Sequence, residues 1–513
     1  MTFAVGIDLG NTNERIAVFD SAGNPVMVNG PTGEPMIRSA VYINEDGSVV
    51  VGLEAYNRLL ADPAGGALNW KRFLGRKKVL VERGGRKYLA QDFAKILLEF
   101  AIKLVQQKTG QIPTDVAISV PANFTDEKKQ LVLTAAVEVG INVICLPSEP
   151  AAALLGAGVH KRADGRYFVF DVGGCTKDVS VATKTGSEFV IDHTDGEAQI
   201  GGQDYNNRLE KMVLDRFEEK HKVRLDPKSD PMAYQDLVHR VEQAKIALST
   251  RDRTSIVISS GGKVLDAVIT RKEFEAATAD LTDKGLACVD RTLKAAGVKP
   301  EELKEVHVVG GGAQLPALMD GIHKILGRNP SAQCEPLFAT AMGAAIAARL
   351  EVEKAGRRLT IGNLTLRPLT LSLREVTGNA IGVGALRDGM EVVNSVLIPK
   401  ATPIPAEIIR RFKLHEAGQT DALIEILQGT DGAARDQCLL LGHFELKGMK
   451  AVTDEAHVIE TRLRLDKNGL LSASAHDPLS GVQAELIIDY KTPPSPASSS
   501  AASSDASNLQ TTT

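Results

Sequence analysis

Val5-Gly6-Ile7-Asp8-Leu9-Gly10-Asn11-Thr12-Asn13 is the stretch on which the reading of this chain turns. An apolar run meets an Asp, then a Gly, then small hydroxyl and amide residues. The pattern predicts a buried strand that turns back in a tight hairpin, with Gly10 where backbone must come close to something. A second copy stands at Tyr167-Phe168-Val169-Phe170-Asp171-Val172-Gly173-Gly174-Cys175-Thr176, and a third, without the Asp, at Val306-His307-Val308-Val309-Gly310-Gly311-Gly312-Ala313. Glycines at strand ends let backbone N–H groups point at phosphate oxygens. An Asp beside each of two such loops suits a hydrated Mg²⁺, which takes one or two carboxylates and keeps most of its waters. Either copy alone is equally well a simple hairpin turn. The pair is stronger than either copy: Asp8 and Asp171 lie about one 150-residue domain length apart, as in an internally duplicated fold.

Outward from these loops, the 513-residue chain is long enough for two or three domains, and 43% apolar residues suffice for large cores. A net charge of −4 gives no electrostatic case for nucleic acid or an anionic membrane. Cys145, Cys175, Cys288, Cys334 and Cys438 are scattered, without a CxxC pair, which argues against a metal knuckle or disulfide framework and for a reducing compartment. With no signal-like segment and no bilayer-length apolar run, the expectation is a cytoplasmic protein.

Residues 1–60 read as strands and turns, with Ala40–Ile43 and Ser48–Val51 around Asp46-Gly47. Asn69-Trp70-Lys71-Arg72-Phe73-Leu74-Gly75-Arg76, taken alone, reads as a solvated basic turn with apolar stems. Gln91–Lys108 is an amphipathic helix. Strand Val116–Val120 stops at Pro121; Thr125 caps a helix that Gly140 ends; strand Val143–Leu146 leads to the alanine-rich helix Ala151–Gly156. Strands alternating with helices predict an α/β domain. Further helices are expected from Gly201-Gly202 to about Lys220, over Tyr234–Ser249, over 273–296, from Pro316 to Gly327, and over Phe338–Lys354, whose small residues predict close backbone packing. Glu242 and Lys245, three apart, would by spacing alone be a surface ion pair. After Gly356 helical periodicity gives way to alternating runs: Leu369–Leu373, Ala422–Ile426, Val458–Leu465, Leu470–Ala475 and Gln483–Ile488, with Asn468-Gly469 as a hairpin turn. Residues 491–513, rich in Ser, Ala, Thr and Pro, are expected to be disordered.

Taken in order, these pieces resemble the DnaK-type heat-shock chaperone family from residue 4 to about 489. They are Gly6-Ile7-Asp8-Leu9-Gly10; Lys71-Arg72 with Leu74-Gly75-Arg76; Val120-Pro121-Ala122; Glu149-Pro150; Phe170-Asp171 with Gly173-Gly174 and Thr176; Gly201-Gly202; Ala244-Lys245-Ile246 with Leu248-Ser249; Val309-Gly310-Gly311; and Leu427-Gln428-Gly429. The resemblance implies an α/β actin-like (ribonuclease H-like, duplicated) ATPase domain over 1–355, a linker over 356–367, and an all-β antiparallel sandwich that binds peptide over 368–490, before the tail at 491–513.

It also implies roles by position, with ATP/ADP and Mg²⁺ as cofactors. Asp8 and Asp171 would hold Mg²⁺ through water. Gly10, Asn11, Thr12 and Asn13, and Gly173, Gly174, Cys175 and Thr176, would be the phosphate loops. Lys71 would steady charge on the γ-phosphate, reversing the solvated reading, and Glu149 and Thr176 would place the attacking water. Gly201 and Gly202, Glu242, Lys245 and Ser249, and Gly310 and Gly311 would complete the nucleotide site, and Pro121 would relay nucleotide state. Leu373, Val376, Phe412, Ala422 and Ile424 would line a groove for extended apolar peptides of unfolded proteins; for Leu373 and Ile424 ordinary sandwich core is the competing reading. J-domain and nucleotide-exchange co-chaperones are the other implied partners.

The chain departs from the family at Asn11, Cys175, Lys177, Gly312, Gln314 and Leu337, in a shortened segment between Lys71 and Gln91, and in a linker around Ile361-Gly362-Asn363-Leu364 without the usual acidic-leucine run. No helical pattern follows the β domain, so the family's helical lid is expected to be absent. Two alternatives stay open: a small-molecule kinase on the same actin-like fold, and a nucleotide-dependent scaffold with negligible hydrolysis.

Overall fold

The computed structural model describes residues 3–197, 199–331, 335–361, 364–387, 391–452 and 457–486, and the strand Leu509–Thr511. The linker positions Gly362 and Asn363, Cys334, residues 487–488 of the last expected strand, and 491–508 and 512–513 of the expected tail lie outside them. Two compact units result: Met1–Asn123 with Val132–Leu373, and Phe124–Leu131 with Arg374–Thr513.

The first unit is mixed α/β. One sheet runs in the order Val143–Cys145, Asp115–Ser119, Ala4–Asp8, Asn13–Phe19, Pro25–Met27; another runs Leu303–Val309, Gly165–Val172, Lys177–Thr185, Glu188–Glu197, Ser372–Arg374. In each sheet the Asp-bearing strand has a parallel neighbour on one side and its own antiparallel return on the other. Ala4–Asp8 and Asp115–Ser119 are buried along their whole length. That is why they read as continuous rather than alternating apolar runs.

The small residues of helix Ala339–Lys354 serve close approach, as expected. A β-carbon on Gly343 would sit 1.6 Å from the Ala152 carbonyl oxygen, and one on Gly6 would sit 2.0 Å from the Ala345 nitrogen. This helix therefore lies in backbone contact with helix Glu149–Gly156 and with strand Ala4–Asp8.

Three local expectations need correction. Residues 1–60 are not only strands and turns: Leu53–Ala61 is a helix burying Ala55, Tyr56 and Leu59. Its signal is short, its N-cap is Gly52 without a side-chain cap bond, and β-branched runs precede it. The helix expected over 273–296 is two, Arg271–Ala277 and Ala279–Ala296. It breaks at Thr278, whose hydroxyl turns back to donate to the Phe274 carbonyl at 2.9 Å. The run Leu369–Leu373 forms only Ser372–Arg374, and this strand edges the first unit's sheet beside Glu188–Glu197. The second compact unit takes up this part of the chain from Arg374.

The second unit is all-β beyond Arg374. Ile381–Arg387, Glu391–Ile398, Asp421–Gln428 and Leu439–Lys447 form one group of strands, and Ala406–Leu414, Val458–Leu465, Leu471–His476 and Gln483–Glu485 another. Val458–Leu465 alternates buried and less buried residues, as its sequence predicts. The turn at Asn468-Gly469 is the loop Asp466–Leu470: the Asp466 carboxylate accepts from the Asn468 and Leu470 N–H groups, and Gly469 takes φ 69°. An all-β antiparallel sandwich is expected here, and two groups of four strands are present. Leu509–Thr511 pairs with both groups and links them into one nine-stranded hydrogen-bonded set, so the expected tail is not structureless at 509–511. Leu-Gln-Thr carries no charge and only one apolar side chain, too little for a core signal, yet it can extend along a waiting edge.

Candidate functional site

Strand ends place the first set of side chains. Asp8 closes Ala4–Asp8, and its carboxylate accepts from Arg15 Nη1 at 2.9 Å across the hairpin, where the two residues are cross-strand partners. Gly10 N donates to the Asp8 carbonyl at 2.9 Å, and a β-carbon on Gly10 would sit 2.0 Å from the Asn13 carbonyl oxygen, so the turn is as tight as the sequence requires. Asn11 is buried; its Nδ2 donates to Asn69 Oδ1 at 2.7 Å, while its own Oδ1 has no protein partner.

Asp171 lies in the second Asp-bearing strand, Gly165–Val172, buried, taking a 3.3 Å bond from the Thr340 hydroxyl. The two loops meet. A β-carbon on Gly174 would sit 2.3 Å from Thr12 Oγ1, so Thr12 and Gly174 face each other. Gly173 N donates to the Thr176 carbonyl at 3.0 Å. Gly202 N and Gln203 N donate to the Gly173 and Gly174 carbonyls, both at 2.9 Å, which docks helix Gly202–His221 onto the loop.

The third loop closes against the second. Val309 is the register partner of Asp171. Gly310 takes φ 79°, and a β-carbon there would sit 2.8 Å from Asp171 Oδ1; only glycine satisfies both. Gly311 is exposed with open space above its α-carbon.

Lys71 and Glu149 form the next layer. Lys71 is buried in the turn Trp70–Phe73, and its Nζ stands 3.2 Å from Glu149 Oε1. Glu149 opens helix Glu149–Gly156, and its N–H donates to the Val120 carbonyl at 2.7 Å, next to the buried Pro121. The basic turn is therefore not solvated at Lys71, because a buried carboxylate waits for it. Arg72 turns to Asp204 Oδ1 at 3.0 Å and to Cys175 Sγ at 3.1 Å. Burial raises the Cys175 thiol despite Arg72.

Glu242 and Lys245 are not a surface pair. Glu242 accepts from Arg38 Nη1 at 2.7 Å and from the Tyr56 hydroxyl at 3.3 Å. Burial opposes its ionisation, but Arg38 prevails and its pKa is lowered. Lys245 Nζ donates to the Gly202 carbonyl at 3.0 Å; burial pulls its pKa down to about 8, with Glu242 opposing. Ser249 caps the end of helix Pro231–Leu248, next to Leu248 and near Arg271 and Phe274. Lys177, flagged as a departure beside the loop, instead donates to the Tyr205 hydroxyl at 3.0 Å and the Leu281 carbonyl at 2.8 Å.

Four side chains escaped the sequence reading. Asp178 is the cross-strand partner of Asp171 and is fully buried, its carboxylate beside the Thr176 side chain and the Ala122 backbone. Glu14 is fully buried and unpartnered beside Asp8. Arg15 salts Asp8, and Asn69 ties the Lys71 turn to the first loop. The Thr176-x-Asp178 spacing on the return strand was the available signal for Asp178. Arg15 and Glu14 needed the hairpin register.

Burial raises the pKa of Asp171, with Glu149 and Asp8 adding to it; burial likewise raises Asp178, reinforced by Glu149 and Asp171, and Glu14, reinforced by Asp8. Burial also raises Glu149 against the pull of Lys71. Asp8, Glu14, Glu149, Asp171 and Asp178 thus outnumber the nearby Lys71 and Arg15, an acid excess that fits a divalent cation. Among the described residues no group of three or more His, Cys, Asp or Glu could hold a metal ion. A cation here would be held through water and phosphate, from Asp8 and Asp171.

Of the expected groove residues, Phe412, Ala422 and Ile424 come together in the buried core of the second unit, the burial that ordinary core positions have. Val376 makes an isolated bridge to Pro403. Leu373 lies in Ser372–Arg374 and groups with the first unit.

The profile of the Hsp70 protein family matches residues 4–510. Chaperone protein DnaK from each of two strains of Thermus thermophilus is similar to the chain: 30% identical over 521 aligned positions, covering 96% of this chain and 81% of the relative. Among the described residues no helix is long and apolar enough to cross a membrane.

Proposed function

The chain belongs to the Hsp70 family, and from that premise we propose that it is an ATP-dependent chaperone whose first unit hydrolyses ATP and whose second unit holds extended apolar peptide. The observation that carries the reading is the meeting of two Asp-Gly loops from separate sheets, with Thr12 against Gly174 and the buried Lys71–Glu149 pair as part of the same site. Phosphoryl transfer asks a protein for positioning and charge stabilisation rather than a covalent nucleophile. The loop N–H groups of 10–13 and 173–176 bind the phosphates. Lys71 offsets charge on the transferring group, and Glu149, raised by burial, accepts a hydrogen bond from the attacking water or takes its proton. Asp8 and Asp171 would hold Mg²⁺ through water, and the ion, when bound, would neutralise phosphate charge. Glu242, Lys245, Ser249, Gly310 and Gly311 frame the nucleoside. In the β unit, backbone pairing supplies affinity and apolar side chains supply preference. Pro121, J-domain partners and exchange factors complete the proposed cycle.

The deciding experiment is the off-rate of a labelled apolar peptide with ATP and then with ADP. Faster release with ATP supports the coupled reading. Equal rates with measurable hydrolysis would leave an uncoupled ATPase, and no hydrolysis at all would leave the scaffold reading.

A second expectation concerns Lys245. Its ammonium is half ionised near pH 8, and a bound polyphosphate would favour the charged form and raise its pKa. The Lys245 contribution to nucleotide binding at pH 8 is therefore an uptake of up to about half a proton, set against the proton that a bound cation would expel from Asp171, whose pKa burial raises to about 8. Calorimetry in two buffers of different ionisation enthalpy reads this directly. Proton uptake should be smaller in Lys245→Met than in the wild type, and the same buffer dependence in both proteins would contradict it.

A further inference from the structure

The strand Leu509–Thr511 sits between two others that need a neighbour. It runs antiparallel to Ala406–Leu414, with Phe412 opposite Thr511, Lys413 opposite Gln510 and Leu414 opposite Leu509. It runs parallel to Ile381–Arg387, with Leu386 opposite Gln510. The other edges of both acceptor strands are taken. Glu391–Ile398 pairs along one edge of Ile381–Arg387, and Asp421–Gln428 covers the opposite edge only at Ile381–Val383. Val458–Leu465 covers one edge of Ala406–Leu414 from Ala406 to Lys413. The remaining backbone groups near Leu386 and at Phe412–Leu414 form a slot for one short extended strand. Without 509–511 the nine-stranded sheet separates into two four-stranded groups. The slot thus accepts a guest strand, and its guest here is the chain's own. Phe412, expected to touch bound peptide, lies on the acceptor strand.

We propose that residues 509–511 are a cis-acting competitor in this slot, and that an extended apolar peptide enters only by displacing them. This rests on the peptide-binding reading above. The segment suits the role: Asn508-Leu509-Gln510-Thr511 is uncharged and carries one apolar side chain, enough to pair as a strand yet poor in what would hold it against a leucine-rich rival. Because it is covalently attached, it competes as an intramolecular ligand, at an effective concentration set by that attachment and independent of the protein concentration. A peptide then meets the slot open for only a fraction of the time, and its apparent affinity falls by that fraction.

The test uses the full chain, the double variant Gln510→Pro/Thr511→Pro, which removes two strand donors, and a chain ending at residue 486. The probe is a labelled seven-residue peptide with three consecutive leucines, its Kd read by anisotropy. Binding should be about threefold tighter or more in both altered chains, as for a slot closed two-thirds of the time or more. In parallel, Lys413→Cys/Gln510→Cys in the full chain should form an intramolecular disulfide under mild oxidation, and excess unlabelled peptide should suppress it. Equal affinity in all three chains, or no cross-link, overturns the proposal while the peptide-binding reading stands. No binding by any chain defeats that reading and this proposal with it.

Discussion

Lys71→Ala is expected to lower single-turnover ATP hydrolysis by about 10²–10³-fold while nucleotide affinity changes by less than about tenfold. Lys71 is a buried ammonium 3.2 Å from the buried Glu149 carboxylate, so its charge acts where water cannot screen it. If it stabilises charge that develops only as the phosphoryl group leaves, its loss falls on the rate and not on binding. Removing one partner of a buried pair also leaves the other uncompensated, at a cost of about 3–5 kcal/mol for a carboxylate that stays ionised. Glu149, already raised by burial, can escape part of that cost by taking a proton. The urea midpoint should be measured alongside the rate, and Lys71→Ala/Glu149→Gln should recover stability without recovering hydrolysis. A rate within threefold of wild type in a folded Lys71→Ala protein would remove Lys71 from the chemistry.

Gly343→Val is expected to destabilise the first unit by about 3 kcal/mol or more, seen as a lower denaturation midpoint and poor soluble yield. The new β-carbon would land 1.6 Å from the Ala152 oxygen and 2.4 Å from its carbon, both backbone atoms that no rotamer change can move. Helix Ala339–Lys354 would have to lift from helix Glu149–Gly156. Because Glu149 opens that helix, what folds should also be displaced at the site. Gly311→Ala is the control: its β-carbon meets nothing within 4 Å, so its stability should change by less than about 1 kcal/mol, even if nucleotide binding weakens. Similar midpoints for Gly343→Val and wild type would mean that the two helices do not touch through their backbones.

The Asp-Gly turns were legible because they combine two local signals, an apolar run and a residue type that only a turn or a ligand requires. The order of pieces from Gly6 to Gly429 carried the family for the same reason: each is a short stretch whose chemistry is complete within itself. Lys71 was the counterexample. Nothing within Asn69–Arg76 distinguishes a solvated lysine from a buried one, since the deciding partner, Glu149, is 78 residues away. Glu242 and Lys245 misled in the opposite direction. Their spacing suggests each other, while Arg38 and the Gly202 carbonyl are their partners.

The sequence by itself determined the α/β-then-β order of the chain, the positions of the three glycine loops, and the small-residue face of Ala339–Lys354, because periodicity and glycine placement act over a few residues. Only the tertiary structure decided that Asp178 stands opposite Asp171, that Arg15 neutralises Asp8, that Ser372–Arg374 edges the first unit's sheet, and that Leu509–Thr511 fills the slot in the second. These depend on strand register and on which edges remain open. Such properties arise from pairs of segments far apart in the chain, and no single stretch of residues encodes them.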